Sequence, residues 1–321
     1  MKVLVVTIFL LTYSSIVLFN RKINPLALVF SGVAILLISQ AIGIKDALGS
    51  INFNVLGVFL GTMILSGLFI YSNVPSYLAS RLVARSNNVG MAILFMCLLS
   101  GVISSFTENV ATVLIVAPVA FEVARKLKAN PIPFLIGIAV SSNLQGSATM
   151  IGDSPSIILA ASQKMNFMDF FWMKGRPGIA FAVEIGALAS FTVLYLLFRK
   201  FTQGVQKIEA VKVKTWIPSI LMGLMILTLG GLSFIVNKPY YSIALTCLTF
   251  GIIGLVWHKI FAKEGFSFIK SIDWRTFFFL IGVFVLIGAL SHVGVINDVA
   301  DFISNLTRGN ILLTFTLIVW I

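Results

Sequence analysis

The chain has 321 residues, 59% of them hydrophobic and only 11% charged, against roughly 25% charged in soluble domains. With a mean hydropathy of +1.04, these values exclude a soluble globular domain and place the chain in a bilayer. The formal charge of +12 forms no nucleic-acid face, because the Lys and Arg residues lie in short loops between apolar segments, where they act as a topology signal.

In chain order, plain membrane-crossing helices are predicted over Val3–Phe19, Leu26–Ile42, Asn54–Ser72, Gly178–Phe198, Trp216–Ile235, Tyr240–Trp257 and Thr276–His292. No small-residue cleavage pattern precedes Asn20-Arg21-Lys22, so the first of these reads as a retained span and not a removed signal peptide. The run from Gly90 to Ala124 differs, because its arms, Gly90–Ser105 and Val110–Ala124, reach only about 24 and 22 Å as helices, short of a hydrocarbon core of roughly 30 Å. A re-entrant hairpin fits better than two crossings. Ile132–Gln163 is long enough to cross, but Gly146, Gly152 and Pro155 cut it, as in the discontinuous helices of transporters. With the N-terminus outside, 16 of the 23 Lys and Arg residues fall on the cytoplasmic side, and both hairpin ends face the cytoplasm. Cys97 and Cys247 sit in apolar runs and read as buried reduced thiols.

Polar residues are costly at membrane depth, and irregular backbone survives there only where protein or a water-filled cavity covers it. The two interruptions, Ser104–Asn109 and Ser141–Ser156, therefore mark a solute site. Ser105-x-x-Glu108 has the spacing of a capping box, which gives Glu108 a structural reading. Its functional reading is a carboxylate at a hairpin tip, able to bind Na⁺ or carry a proton. In the second break, Ser154 reads as an N-cap and Pro155 as the first helical residue, so free N–H groups point into the gap. The helix ending near Asn143 presents carbonyls that suit a cation. Gly146 and Gly152 allow close backbone approach, and Ser142, Asn143, Ser147 and Thr149 supply neutral donors and acceptors. The candidate substrate and ion site comprises Ser105, Thr107, Glu108, Asn109, Thr112, Ser142, Asn143, Gly146, Ser147, Thr149, Gly152, Asp153, Ser154, Pro155 and Ser156, with Na⁺ expected at Glu108, Asn109, Asn143 and Asp153. Glu184 is a further acidic residue inside a span, open to either a buried hydrogen bond or proton traffic. Catalytic triads, metal-ligand clusters and paired-carboxylate enzyme motifs are lacking, so no enzyme and no cofactor beyond a coupling Na⁺ or H⁺ is expected.

Ser50-Ile51-Asn52-Phe53 leads into Gly61 and Gly67, and Ser271-Ile272-Asp273-Trp274 leads into Gly282 and Gly288, a constant offset of 221 residues. Five crossings lie between the two starts, so the copies enter from opposite sides, as in inverted-repeat transporters. The organisation expected is scaffold spans over 1–87, a transport unit of hairpin and broken helix over 88–175, further scaffold and a cytoplasmic loop over 176–270, and the start of a second repeat over 271–321. The offset puts the counterparts of Glu108 and Asp153 near positions 329 and 374, past Ile321, so the second copy reads as truncated and the chain alone as unable to transport.

Two stretches, Ser104–Val113 (SSFTENVATV) and Ser142–Ser156 (SNLQGSATMIGDSPS), resemble the ion transporter superfamily, in its branch of arsenite permeases, D-type sodium/proton antiporters, citrate permeases and the P protein. The resemblance implies an all-α polytopic fold in which a scaffold holds a transport unit that crosses the membrane as an elevator. It also implies a homodimer in a prokaryotic plasma membrane, with lipid and a small ion as partners and no nucleic acid. By that likeness Asn109, Thr112, Asn143 and Thr149 help form the ion site. The chain departs from the pattern at Glu108-Asn109, where Asp-Asn is usual, and at Gly152-Asp153-Ser154-Pro155-Ser156, where Gly-Asp-Pro-Pro-Asn is usual. The expected activity is Na⁺- or H⁺-coupled secondary transport of a small inorganic oxyacid or anion. Na⁺/H⁺ antiport is the close alternative and an ion channel the alternative of another class.

Overall fold

The computed structural model describes residues 1–19, 22–126, 128–204, 211–262 and 272–320. In chain order its elements are α1 (Lys2–Phe19), α2 (Pro25–Ile38), a short α3 (Ile44–Gly49), α4 (Phe53–Tyr71), α5 (Val74–Ala84), α6 (Val89–Ser104), α7 (Asn109–Lys126), α8 (Ile132–Gly146) and α9 (Ser154–Ser162). A 3-10 turn, Phe167–Phe170, leads to a two-stranded hairpin of β1 (Trp172–Met173) and β2 (Arg176–Pro177). Then follow α10 (Ile179–Phe198), α11 (Ile217–Leu232), α12 (Ser242–Trp257) with a π turn at His258–Ala262, α13 (Trp274–His292), α14 (Val295–Thr307) and α15 (Ile311–Trp320). Four of the 16 cations counted as cytoplasmic, Arg21, Lys207, Lys263 and Lys270, and Ser271 of the repeat lie outside the described residues.

Every predicted plain span is helical. Among the described residues, α1, α4, α10, α12 with its π turn, and α13 are long and apolar enough to cross a membrane. At 14 and 16 residues, α2 and α11 are shorter, about 21 and 24 Å. The broken helix is also present, with α8 stopping at Gly146 and α9 starting at Ser154. The second hairpin arm is longer than expected: α7 has 18 residues, about 27 Å, and carries Pro118.

The chain forms two compact units, one of Met1–Phe53 with Trp274–Ile321 and one of Asn54–Asp273. In the first, Val5, Val29, Leu36, Val285, Leu286 and Ala289 form the buried core. α13 approaches α2 closely there, because a Cβ at Gly282 would overlap the Val29 side chain. In the second, α4 is the most buried span and meets α12 through small residues. A Cβ on Gly57 would strike Ala244, and one on Gly61 would strike the Cys247 backbone. Gly57 and Gly61 thus form a Gly-x-x-x-Gly face, which lets helix backbones pack where apolar lipid provides no hydrophobic drive. α10 has most of its span uncovered, with Ile185, Leu188 and Leu197 exposed.

One local pattern occurs twice. After the 19-residue α4 comes Asn73 in the left-handed region (φ 58°), then α5, then Asn88, whose Oδ1 accepts from Met91 N at 2.8 Å to cap α6. After the 19-residue α13 comes left-handed Gly294 (φ 78°), then α14, then Asn310, whose Oδ1 accepts from Leu313 N at 3.1 Å to cap α15. Asn73 and Gly294 stand at the same 221-residue offset read from the sequence.

Candidate functional site

The two polar interruptions lie where helices stop and start within the second unit. α6 ends at Ser104 and Ser105 is its C-cap, its N–H bonded to Gly101 O at 3.0 Å. Ser105 therefore closes α6 and does not open α7, which begins only at Asn109, and the expected capping box is absent. The Ser105 hydroxyl instead lies 3.3 Å from both the backbone and side-chain oxygens of Gln145 on α8. The N-cap of α9 is also one residue earlier than expected. Asp153 holds that position, with Oδ1 accepting from Ser156 N at 2.9 Å and Oδ2 accepting from Ser147 Oγ at 2.9 Å. A carboxylate at a helix N-terminus is favoured by the dipole, so Asp153 takes the cap from its neighbour Ser154. Glu108 occupies the same position ahead of α7, its carboxylate turned toward the Ala111 N–H in the first helical turn.

Hydrogen bonds join the two breaks. Ser142 Oγ donates to Asn109 O at 3.2 Å, and Ser104 Oγ lies 2.8 Å from Ser142 O and 2.9 Å from Asn109 Oδ1. Asn109 Nδ2 donates to Asn143 Oδ1 at 3.0 Å, and Thr149 Oγ1 donates to Ser105 O. Thr107 and Thr112 pair through their hydroxyls at 2.7 Å, clamping the turn between α6 and α7. The glycines set the spacing: a Cβ on Gly146 would strike the Asn109 amide, and one on Gly152 would strike the Gly146 and Ser104 carbonyls. Ser104, Ser142, Thr112, Thr149, Asp153 and Ser156 are buried, so each hydrogen bond substitutes for lost hydration.

Of the residues singled out in the sequence, Ser105, Asn109, Ser142, Asn143, Gly146 and Thr149 meet directly across the two breaks. Thr107 and Thr112 brace the first break, and Ser147, Gly152, Asp153 and Ser156 brace the second. Glu108 is half-buried at the start of α7. Ser154 and Pro155 form the first turn of α9 and make no side-chain bond into the network. Ser104 and Gln145 also belong to the network, and Glu184 was left without a partner by the sequence. Gln145 Nε2 reaches Glu184 Oε2 on α10 at 3.3 Å, beside a cavity of about 490 Å³ whose walls include Leu98, Val102, Phe106 and Leu188. The signal was the cost of a carboxylate in an apolar span, which demands a partner without naming it.

As chemistry, the site offers amide and carboxylate oxygens to a hard cation, while the starts of α7 and of α9, where the sequence suggested free N–H groups, are faced by the carboxylates of Glu108 and Asp153. Among the described residues no group of His, Cys, Asp and Glu is arranged to hold a transition metal. The chain is 28% identical over 327 residues to an uncharacterized transporter of Mycobacterium tuberculosis, covering 99% of this chain and 75% of that one. It is 28% identical over 312 residues to the magnetosome protein MamN of Magnetospirillum gryphiswaldense, covering 91% and 68%. Human P protein is 28% identical over 207 residues, covering 61% of this chain and 24% of the human one. The citrate transporter family matches residues 15–321. A helical chain with apolar spans and two hydrogen-bonded polar breaks, matched almost end to end, is an integral membrane transporter and belongs to the citrate transporter family.

Proposed function

We propose that the protein is a secondary active transporter, coupled to Na⁺ or H⁺, that moves a small inorganic oxyacid or anion of the arsenite or citrate kind. The observation that carries this reading is the Asn109–Asn143 bond, which joins the two breaks side chain to side chain at 3.0 Å. Two helix starts and two helix ends converge there, so carboxylate, amide and backbone oxygens able to accept a cation sit within one site. Glu108, Asn109, Asn143 and Asp153 are the oxygens assigned to Na⁺, and Thr112, Thr149 and the starts of α7 and α9 support the substrate. The pattern repeated at α4–α6 and α13–α15 supports an inverted-repeat architecture, in which α6–α9 travel as an elevator against a dimeric scaffold. The orientation proposed is N-terminus outside, in a prokaryotic plasma membrane.

Na⁺/H⁺ antiport is the second reading, favoured by two carboxylates at adjacent helix starts with no Lys or Arg in the network. The test is uptake of labelled citrate and arsenite into proteoliposomes under imposed Na⁺ and pH gradients. Saturable accumulation that an ionophore abolishes supports the proposal. Proton efflux driven by Na⁺ with neither solute accumulating selects the antiporter, and unsaturable flux selects a channel.

A further inference from the structure

A second polar feature lies outside the network. A cavity of about 280 Å³ runs along α9, where Ile157, Ala160, Ala161 and Lys164 follow one helix face at intervals of three and four residues. Its opposite walls are the start of α4 at Asn54 and Val58 and the loop between α11 and α12 at Lys238 and Tyr240. Its lining includes buried Met150, next in sequence to Thr149 of the second break. All of these residues belong to the second unit.

Two cations line this cavity, and among the described residues neither has a carboxylate at ion-pair distance. Lys164 is held in the left-handed region (φ 53°) just past α9, where Met165 N bonds to Ala160 O at 2.8 Å and Lys164 N to Ala161 O at 3.4 Å. That is a Schellman ending, whose left-handed position Gly fills most readily and which Lys164 fills here. Lys238 donates one N–H to Leu232 O at 2.8 Å, which fixes its ammonium and leaves two donors. Burial pushes the Lys238 ammonium below the usual lysine range, against the opposing pull of Asp169. Asp169 does not line the cavity, and its Oδ2 accepts from Asn166 N at 2.7 Å. Ala160 and Ala161 add only small side chains to the same wall. The transport network holds no Lys or Arg, so this cavity supplies the cationic surface that the network lacks.

We infer that this cavity is an anion-acceptor site, in which Lys164 and Lys238 take the carboxylate or oxyanion groups of a small soluble anion ahead of the break at Met150. The inference deepens the transport reading and rests on it only for what the anion does next. The shared chemistry, an anionic oxygen group facing two ammoniums, could also come from a lipid phosphate, and the test separates the two.

The measurement is the rate at which an amine-acylating reagent modifies each lysine of the purified protein, read by mass spectrometry. Citrate is the probe, with sodium chloride at matched ionic strength as the blank. In lipid-free micelles, citrate should slow modification of Lys164 and Lys238 by about fivefold or more, the occupancy expected at several times Kd. Exposed Lys174, at the tip of the β-hairpin, should react at an unchanged rate. The protection should persist in Asn109→Ala/Asn143→Ala, and Lys164→Gln/Lys238→Gln should raise the KM for uptake about tenfold with kcat little changed, as for lost charge-assisted contacts made before the transport step. Equal rates with and without citrate would overturn the inference. So would protection that disappears in Asn109→Ala/Asn143→Ala, or that phosphatidylglycerol gives and citrate does not. Protection without gradient-driven uptake by the unsubstituted protein would count against the transport reading and leave the anion site standing.

Discussion

At the scale of single residues, Asp153 shows how one side chain can carry structural and ionic roles together. Its two oxygens bond to Ser156 N and Ser147 Oγ, so it caps α9 and ties the linker to the helix. Asp153→Asn keeps an acceptor for the cap, whereas Asp153→Ala loses it, at about 1 kcal/mol of stability. Thermal unfolding in detergent should therefore place Asp153→Asn near the unsubstituted protein and Asp153→Ala below it, while both lose cation-dependent uptake. An Asp153→Asn protein with full Na⁺ and pH dependence would remove the charge from the mechanism. Gly146→Ala should abolish uptake and destabilise by about 1–3 kcal/mol, because its Cβ enters the space of the Asn109 amide. Normal uptake and stability would show that the approach relaxes freely. The polar residues of the site were legible because polarity stands out in an apolar run, but their hydrogen-bonding roles were less so. Ser105-x-x-Glu108 fits a cap by spacing, yet spacing does not say which helix owns the serine. Asp153 and Ser154 are adjacent and both cap well, and only the path of the chain chooses between them.

At the scale of elements, the long apolar runs declared themselves, and the break between α8 and α9 was marked by its glycines. The short helices α3, α5 and α14 were missed because a search for spans passes over segments too short to cross. α14 carries a readable signal of its own, since Ile296, Val299, Phe302 and Leu306 form an apolar stripe opposite Asp298 and Asp301, and all four are exposed. The helix contact that the small residues specify is testable. Gly61→Ala pushes a methyl group into the Cys247 backbone and should cost about 1–3 kcal/mol. Gly223→Ala on α11, where a Cβ meets no atom within 4 Å, should be neutral or stabilise by up to about 1 kcal/mol through helix propensity. Equal effects on thermal unfolding would mean that close approach of α4 and α12 does not contribute to stability.

At the scale of the whole molecule, the repeated order of helix, left-handed residue, short helix and Asn-capped helix extends the offset read from Ser50 and Ser271 to Asn73 and Gly294. Sequence similarity fades there because Asn and Gly both tolerate positive φ and share little else. The orientation proposed from charge can be measured by labelling, since Cys97 and Cys247 are both buried and give little background. In intact cells a membrane-impermeant maleimide should modify Lys174→Cys and spare Lys214→Cys. The reverse pattern would invert the topology and exchange the sides to which the two breaks open. The central claim is that the two breaks act as one transport site. Its most direct test is gradient-driven uptake by Asn109→Ala, Asn143→Ala and the double variant in proteoliposomes. If the bonded pair works as a unit, each single substitution lowers uptake by about tenfold or more and the double is no worse than the weaker single. Unchanged uptake in either single, or losses that multiply in the double, would contradict it.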